Sequence, residues 1–263
     1  MIFDTVGRKG NPVIVMINGS YTSGKSFLPL AQELSDDYYV ILPTYDGHHE
    51  NGGIFTTRKQ QAQKILQYLL GEDIHEITLL HGLSMGAEVA LDLAYEISVS
   101  KPVTVKKCIF DGGPFFHFNP IMRKIMQKKF MKVIHDLQKG SFEEVWTQFQ
   151  NNKMIQWMAQ GEISSYKEMI QGMAEAAPYM SDQSIRNESD ACYTFDFPEI
   201  PKEEQKKYCF TWSDDEPAYK SAKKIRSCYP EARYLTAGSM GHAGFITKKP
   251  EEYVEFIRSE VTS

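Results

Sequence analysis

The chain has 263 residues, 42% of them hydrophobic, and a net charge of -5. That length suits one well-buried core, or a core carrying one inserted subdomain. An acidic balance without a long basic run argues against nucleic acid and acidic membrane surfaces as partners, and no apolar stretch approaches the roughly 18 residues needed to span a bilayer.

From the amino end, MIFDTVGRKGNP lacks the apolar core of a signal peptide. It leaves room for at most one small strand before Val13. Val13 to Ile17 reads as a strand, and Phe27, Leu30, Ala31 and Leu34 mark a helix face at three- and four-residue spacing. YYVILPTY (38–45) is a second strand, TTRKQQAQKILQYLL a helix, and ITLLHGL (77–83) a third strand. Ala87, Ala90, Leu91 and Ala94 lie on the helix that follows, and VKKCIFDG (105–112) is a fourth strand.

The alternation then stops, since residues 116–203 carry no strand pattern. Asn119-Pro120 has the form of a cap followed by proline at the first helical position, and Ile121, Ile125, Met126, Val133, Ile134 and Leu137 continue that helix. Ser141-x-x-Glu144 and Ser165-x-x-Glu168 have the form of capping boxes. Alternation resumes with KYCFTWS (207–213), a helix from about Pro217, ARYLTAG (232–238) and a last helix, PEEYVEFIRS. Strands separated by helices imply an α/β fold, a mostly parallel sheet with helices on both faces. The expected division is a core of 1–115 and 204–263 with an all-helical insertion at 116–203.

Gly82-Leu83-Ser84-Met85-Gly86 stands where the third strand meets its helix. A serine on so tight a strand-to-helix turn takes a strained backbone, and its neighbours two residues away must be small. The strain aims the Ser84 hydroxyl above the carboxyl edge of the sheet. The helix beginning at Met85 offers free N–H groups and a positive dipole end beside it. A glycine-rich turn with an idle serine would share the letters but has no need of this strand–turn–helix setting.

With this elbow, the sheet pattern and the helical insertion, the chain resembles the α/β-hydrolase superfamily over nearly its whole length. The resemblance implies a serine hydrolase whose acid follows a late strand and whose histidine comes last. His242, in GSMGHAGF, is the one histidine downstream of the insertion, and its glycine-flanked loop looks like the family's histidine loop. As general base it would take the Ser84 proton and return it to the leaving group. His81 is expected to pack, and His48 and His49 to serve binding or to lie at the surface.

For the acid, FTWSDDEPAYKSA offers Asp214, Asp215 and Glu216. The family's glycine, two variable residues and aspartate fall here on Trp212 through Asp215, so Asp215 is the expected acid. Asp214 stays open as an alternative, and so does Asp111, because some members of the family draw their acid from that strand end. A carboxylate that merely caps the helix at Pro217 is the plain alternative for all three.

INGSYTSGKSF (17–27) also matches G-x-x-x-x-G-K-S, the form of a phosphate loop. A helix entered directly at Lys25 would place Pro29 one turn in, where it strains the backbone. A helix capped by Ser26 puts Pro29 harmlessly in the first turn. The match is therefore read as fortuitous. The resemblance gives the segment another role: after Asn18-Gly19, the N–H of Ser20 pairs with that of Met85 as an oxyanion hole. Asparagine stands where the family often has histidine.

The insertion is expected to cover the Ser84 edge as a cap. Eight of the twelve methionines fall within it (Met122, Met126, Met131, Met154, Met158, Met169, Met173 and Met180), a few of them against ligand and most packing helices. The expected reaction is hydrolysis of a small carboxylic ester, with thioester and amide also open, through an acyl-serine intermediate and without cofactor or metal. Cys108, Cys192, Cys209 and Cys228 are scattered without a C-x-x-C pair, which suits a reducing, cytoplasmic setting. The competing readings are a non-catalytic small-molecule binder on the same fold and a nucleotide-binding protein.

Overall fold

Seven strands form one sheet: β1 (Ile2–Val6), β2 (Val13–Ile17), β3 (Tyr39–Thr44), β4 (Glu76–Leu83), β5 (Thr104–Asp111), β6 (Tyr208–Trp212) and β7 (Arg233–Thr236). Their order is β1-β3-β2-β4-β5-β6-β7. β1 runs antiparallel to β3, and every other pairing is parallel. This computed structural model describes residues 1–140, 142–153, 156 and 163–262, leaving aside the side chains of Ser165 and Glu168. The two capping-box readings and Met154 and Met158 therefore lie outside the described residues.

The strands α1 (Leu28–Leu34), α2 (Arg58–Gly71) and α3 (Met85–Ser100) connect are nearly all buried, as parallel strands covered on both faces must be. Alternate residues of β2 separate the apolar interior into two clusters. Val15 and Ile17 join Leu69 of α2 and Leu93 of α3. Ile14 and Met16 join Leu30 and Leu34 of α1 with Ile257 of the last helix, α11 (Pro250–Thr262). Two shorter helices precede it, α9 (Ala222–Cys228) and α10 (Gly244–Lys248).

Between β5 and β6 lie α4 (Pro120–Lys139), α5 (Phe142–Gln150), α6 (Lys167–Ala176), α7 (Asp182–Cys192) and the single turn α8 (Lys202–Gln205). Asn119 Oδ1 accepts the N–H groups of Ile121 and Met122, so the asparagine cap forms as its sequence implies. An isolated bridge of His117 with Thr194 is the extended pairing among the described residues of this block.

The first connection differs in detail from its reading. Gly24–Phe27 is a 3₁₀ turn, and Phe27 stands at the N-cap of α1 without a side-chain bond. The Ser26 hydroxyl turns back onto the Ser23 carbonyl at 2.9 Å. Pro29 does fall in the first turn. No helix among the described residues is long and apolar enough to cross a membrane, and the four cysteines are unpaired.

Candidate functional site

β4 ends in a turn so tight that Ser84 adopts φ 57° and ψ -124°, a backbone that costs a non-glycine residue of order 1–3 kcal/mol. The flanking glycines are required sterically. A Cβ on Gly82 would stand 2.2 Å from the Gly86 carbonyl oxygen, and one on Gly86 would stand 2.2 Å from that of Ile17. The Ser84 N–H is tied to the Asp111 carbonyl at 2.7 Å, which fixes the turn to β5. Across the turn, Gly19 lies against the Ser84 side chain: a Cβ there would be 3.3 Å from Ser84 Cβ. Ser20 follows it on the wall of the cavity above Ser84, and Met85, as first residue of α3, has an N–H with no intrahelical acceptor.

His242 reaches this serine from the loop after β7. Its Nε2 is 3.0 Å from Ser84 Oγ, and its Nδ1 is 2.6 Å from Glu216 Oε2. A carboxylate on Nδ1 leaves Nε2 free to accept the serine proton, so the three groups form a route for moving one proton. Glu216 is 4% exposed, and its other oxygen accepts the Ser213 N–H at 2.8 Å. The carboxylate is thereby held from both sides.

This corrects the expectation of Asp215. That side chain accepts the Gly241 N–H at 2.9 Å, and Asp214 accepts the Ser239 hydroxyl at 2.8 Å. Three consecutive acids thus hold three points of the histidine loop, and the one on the imidazole is the longest and last. The register assumed from Trp212 falls one residue short, because Ser213 to Glu216 closes a turn, with the Glu216 N–H on the Ser213 carbonyl. Glu216 stood among the three candidates, and its extra methylene is the feature that distinguished it.

Asp111 does not touch His242 directly. Its carboxylate accepts the hydroxyls of Thr211 and Tyr253, each at 2.7 Å. Burial raises its pKa to about 6, against the lowering effect of those two hydrogen bonds. Tyr253 in turn lies 2.7 Å from His81 Nε2. Burial drives His81 down to about 3, so its ring is neutral, with Nε2–H donating to the tyrosine oxygen. His81 packs, as expected. For His242 burial opposes the charge, but the hydrogen bond and attraction of Glu216, aided by Asp111, outweigh it and raise the pKa above 6.5.

No family model matches the chain, and no curated protein matches its sequence. Solved structures do match in three dimensions. An α/β-hydrolase family protein from Desulfitobacterium hafniense superposes with a TM-score of 0.75 at 15% identity, covering 98% of this chain and 99% of that one. An esterase from Exiguobacterium antarcticum gives 0.72 at 16% identity over 99% and 95% of the two chains. An enol-lactonase from Burkholderia xenovorans gives 0.71 at 12% identity over 100% and 96%. The chain has the α/β-hydrolase fold.

In this α/β-hydrolase fold a cavity of about 1430 Å³ opens over Ser84 and His242. One wall is aromatic. Phe116 stacks on Phe118 with centroids 5.1 Å apart, and Phe118 on Tyr193 at 4.8 Å. Met122, Met126, Met169 and Met173 also line it, whereas Met180 is buried among the packed helices. The phosphate-loop match is spent on structure. The Gly24 N–H donates to Thr44 Oγ1 at 2.9 Å, and the Ser26 N–H to the Ser23 carbonyl at 3.1 Å. A Cβ on Gly24 would meet the Pro43 carbonyl at 2.6 Å, so this glycine serves a close approach to β3. Among the described residues no group of three or more His, Cys, Asp or Glu could hold a metal ion.

Proposed function

We propose that the protein is a serine hydrolase that cleaves a carboxylic ester carrying a bulky or extended apolar group. The observation that carries this reading is the linear contact of Ser84 Oγ, His242 and Glu216 at 3.0 and 2.6 Å, beneath an apolar cavity. His242 takes the Ser84 proton as Oγ bonds to the ester carbonyl carbon. The carbonyl electrons move onto oxygen, facing the N–H groups of Ser20 and Met85. Return of those electrons breaks the bond to the alcohol oxygen, which leaves with the proton from His242. Water then repeats the sequence on the acyl-serine, with His242 again as base, and releases the acid. Glu216 keeps the imidazole in the required tautomer and stabilises its cation. The helices between β5 and β6 act as the cap. Three buried thiols and one partly buried one, all unpaired, support a reducing, cytoplasmic setting.

Substrate size follows from volume. Drug-sized ligands fill roughly 300–1,000 Å³, so a small ester would leave most of a cavity of about 1430 Å³ empty. Each methylene moved from water onto this wall contributes about 0.8 kcal/mol, up to about a fourfold gain in kcat/KM. The test is a series of p-nitrophenyl esters from acetate to dodecanoate, run on the wild type, Ser84→Ala and His242→Ala, beside labelling by a fluorophosphonate. Labelling at Ser84, and hydrolysis that climbs with chain length and vanishes in both variants, is the expected result. Equal turnover by all three proteins, or no labelling of the wild type, refutes the enzyme and leaves the non-catalytic binder.

A further inference from the structure

The loop Asn18 to Thr22, which carries the proposed oxyanion donor, is gripped from behind by α7 of the insertion. Glu188 on α7 is 0% exposed, and its Oε1 accepts the Tyr21 N–H at 2.6 Å. Its Oε2 lies 3.0 Å from Nε2 of His48, which is buried at the end of the β3 connection. That contact has ion-pair distance but lies off the line of a hydrogen bond.

The other ring nitrogen of His48 is 3.0 Å from the Asp46 carbonyl oxygen. A carbonyl only accepts, so Nδ1 carries a hydrogen. A bare Nε2 lone pair facing a carboxylate in a dry interior would be repulsive, so a second proton is held between His48 and Glu188. Burial works against a charged His48, yet Glu188 outweighs it and the pKa is raised.

Two more contacts join α7 to the same neighbourhood. The Tyr21 hydroxyl lies 3.5 Å from the Ile185 carbonyl oxygen of α7. Ser184 Oγ accepts the Phe55 N–H at 3.1 Å. Tyr21 itself is buried with φ 61°, a left-handed backbone that a tyrosine keeps only when its surroundings impose it. The Glu188 carboxylate is the group that binds its peptide.

Building on the serine hydrolase reading, we propose that Glu188 is a positioning residue: from the cap it locks the Tyr21 peptide, and so orients the Ser20 N–H toward the oxyanion. Docking of the cap and assembly of the oxyanion hole are then one event. His48, expected to be a binding or surface group, belongs to this lock.

Three variants test it. Glu188→Gln keeps an acceptor for Tyr21 and offers an N–H to a neutral His48. Glu188→Asp keeps the charge but draws the acceptor away, and Glu188→Leu removes it. The readouts are kcat and KM on one ester, the inhibition constant of a trifluoromethyl ketone, whose adduct carries the oxyanion, and the melting temperature. One lost oxyanion donor costs about 10²- to 10³-fold in kcat. Asp and Leu are expected to lower kcat by about 10²-fold with KM nearly unchanged, and to weaken the ketone in parallel. Gln is expected to stay within about fivefold of wild type. A folded Asp or Leu variant with unchanged kcat, or a loss confined to KM, overturns the proposal. If Leu fails to fold, Asp against Gln decides it alone. A wild type that hydrolyses no ester fails the underlying reading instead, a result plainly different from a wild-type rate in Glu188→Asp.

Discussion

Glu216 Oε2 lies 2.6 Å from His242 Nδ1, while Asp215, one residue earlier, is turned onto the Gly241 N–H. In the proposed hydrolase the two acids therefore separate the tasks of polarising a base and pinning a loop. Glu216→Gln preserves size but presents an amide where the ring needs an acceptor. It is expected to lower kcat by about 10³- to 10⁴-fold, the scale on which triads lose rate when this partner is neutralised. Asp215→Asn, still able to accept the Gly241 N–H, should lose less than about tenfold. Steady-state kinetics on one ester decides, and the reverse ranking would return the role to Asp215.

The pH dependence follows from His242. In the proposed mechanism only the neutral ring takes the serine proton; against the effect of burial, Glu216 raises its pKa from the ordinary 6.5. The kcat/KM of the free enzyme is therefore expected to be low in acid and to climb with pH through an apparent pKa above 6.5. In Glu216→Gln the residual activity should show that midpoint displaced downward, because the partner that favoured the cation is gone. A pH–rate profile of both proteins checks it.

Asp111 gives a stability test. Its folded pKa of about 6 lies above the ordinary 3.8. A raised acid favours folding below the unfolded value and loses that advantage as pH rises through the folded one. Relative to Asp111→Asn, the wild type should thus lose roughly 2 kcal/mol between pH 4 and pH 8. Denaturant melts of both proteins at the two pH values measure this, and parallel curves would refute it.

Two glycines should respond oppositely to alanine. A Cβ on Gly86 would collide with main-chain oxygens of Ile17 and Asn18 at 2.2 and 2.5 Å, which cannot swing aside. Gly86→Ala is expected to cost about 3 kcal/mol or more. A Cβ on Gly71, the last residue of α2, meets nothing within 4 Å. Gly71→Ala should stabilise by about 0.5 kcal/mol, through helix propensity and a less free unfolded chain. Chemical unfolding of the two variants provides the comparison.

The sheet was legible because its strands are apolar runs cut by glycine and proline, and Ser84 because small residues at 82 and 86 have a steric meaning that text preserves. The antiparallel β1 fits the small strand for which the sequence left room. Glu216 was harder. Three adjacent carboxylates differ in the sequence only by position and by one methylene, and which one meets an imidazole 26 residues away depends on how one turn closes. His48 and Glu188 were out of reach for a related reason. Their pairing joins α7 to the connection after β3, and neither element's periodicity encodes the other's placement. The phosphate-loop letters show the converse: Gly24 is required by its approach to β3, and its own N–H and that of Ser26 are engaged locally.

The sheet has a mechanical consequence. It partitions the apolar interior, so a void opened beside Ile65 cannot be relieved by groups that settle around Ile257. Losses of free energy from truncations on opposite sides should accordingly be additive, while those sharing a side should couple. Tolerance to repacking is thus a property of each compartment, and either one could be redesigned with the other left as an internal control.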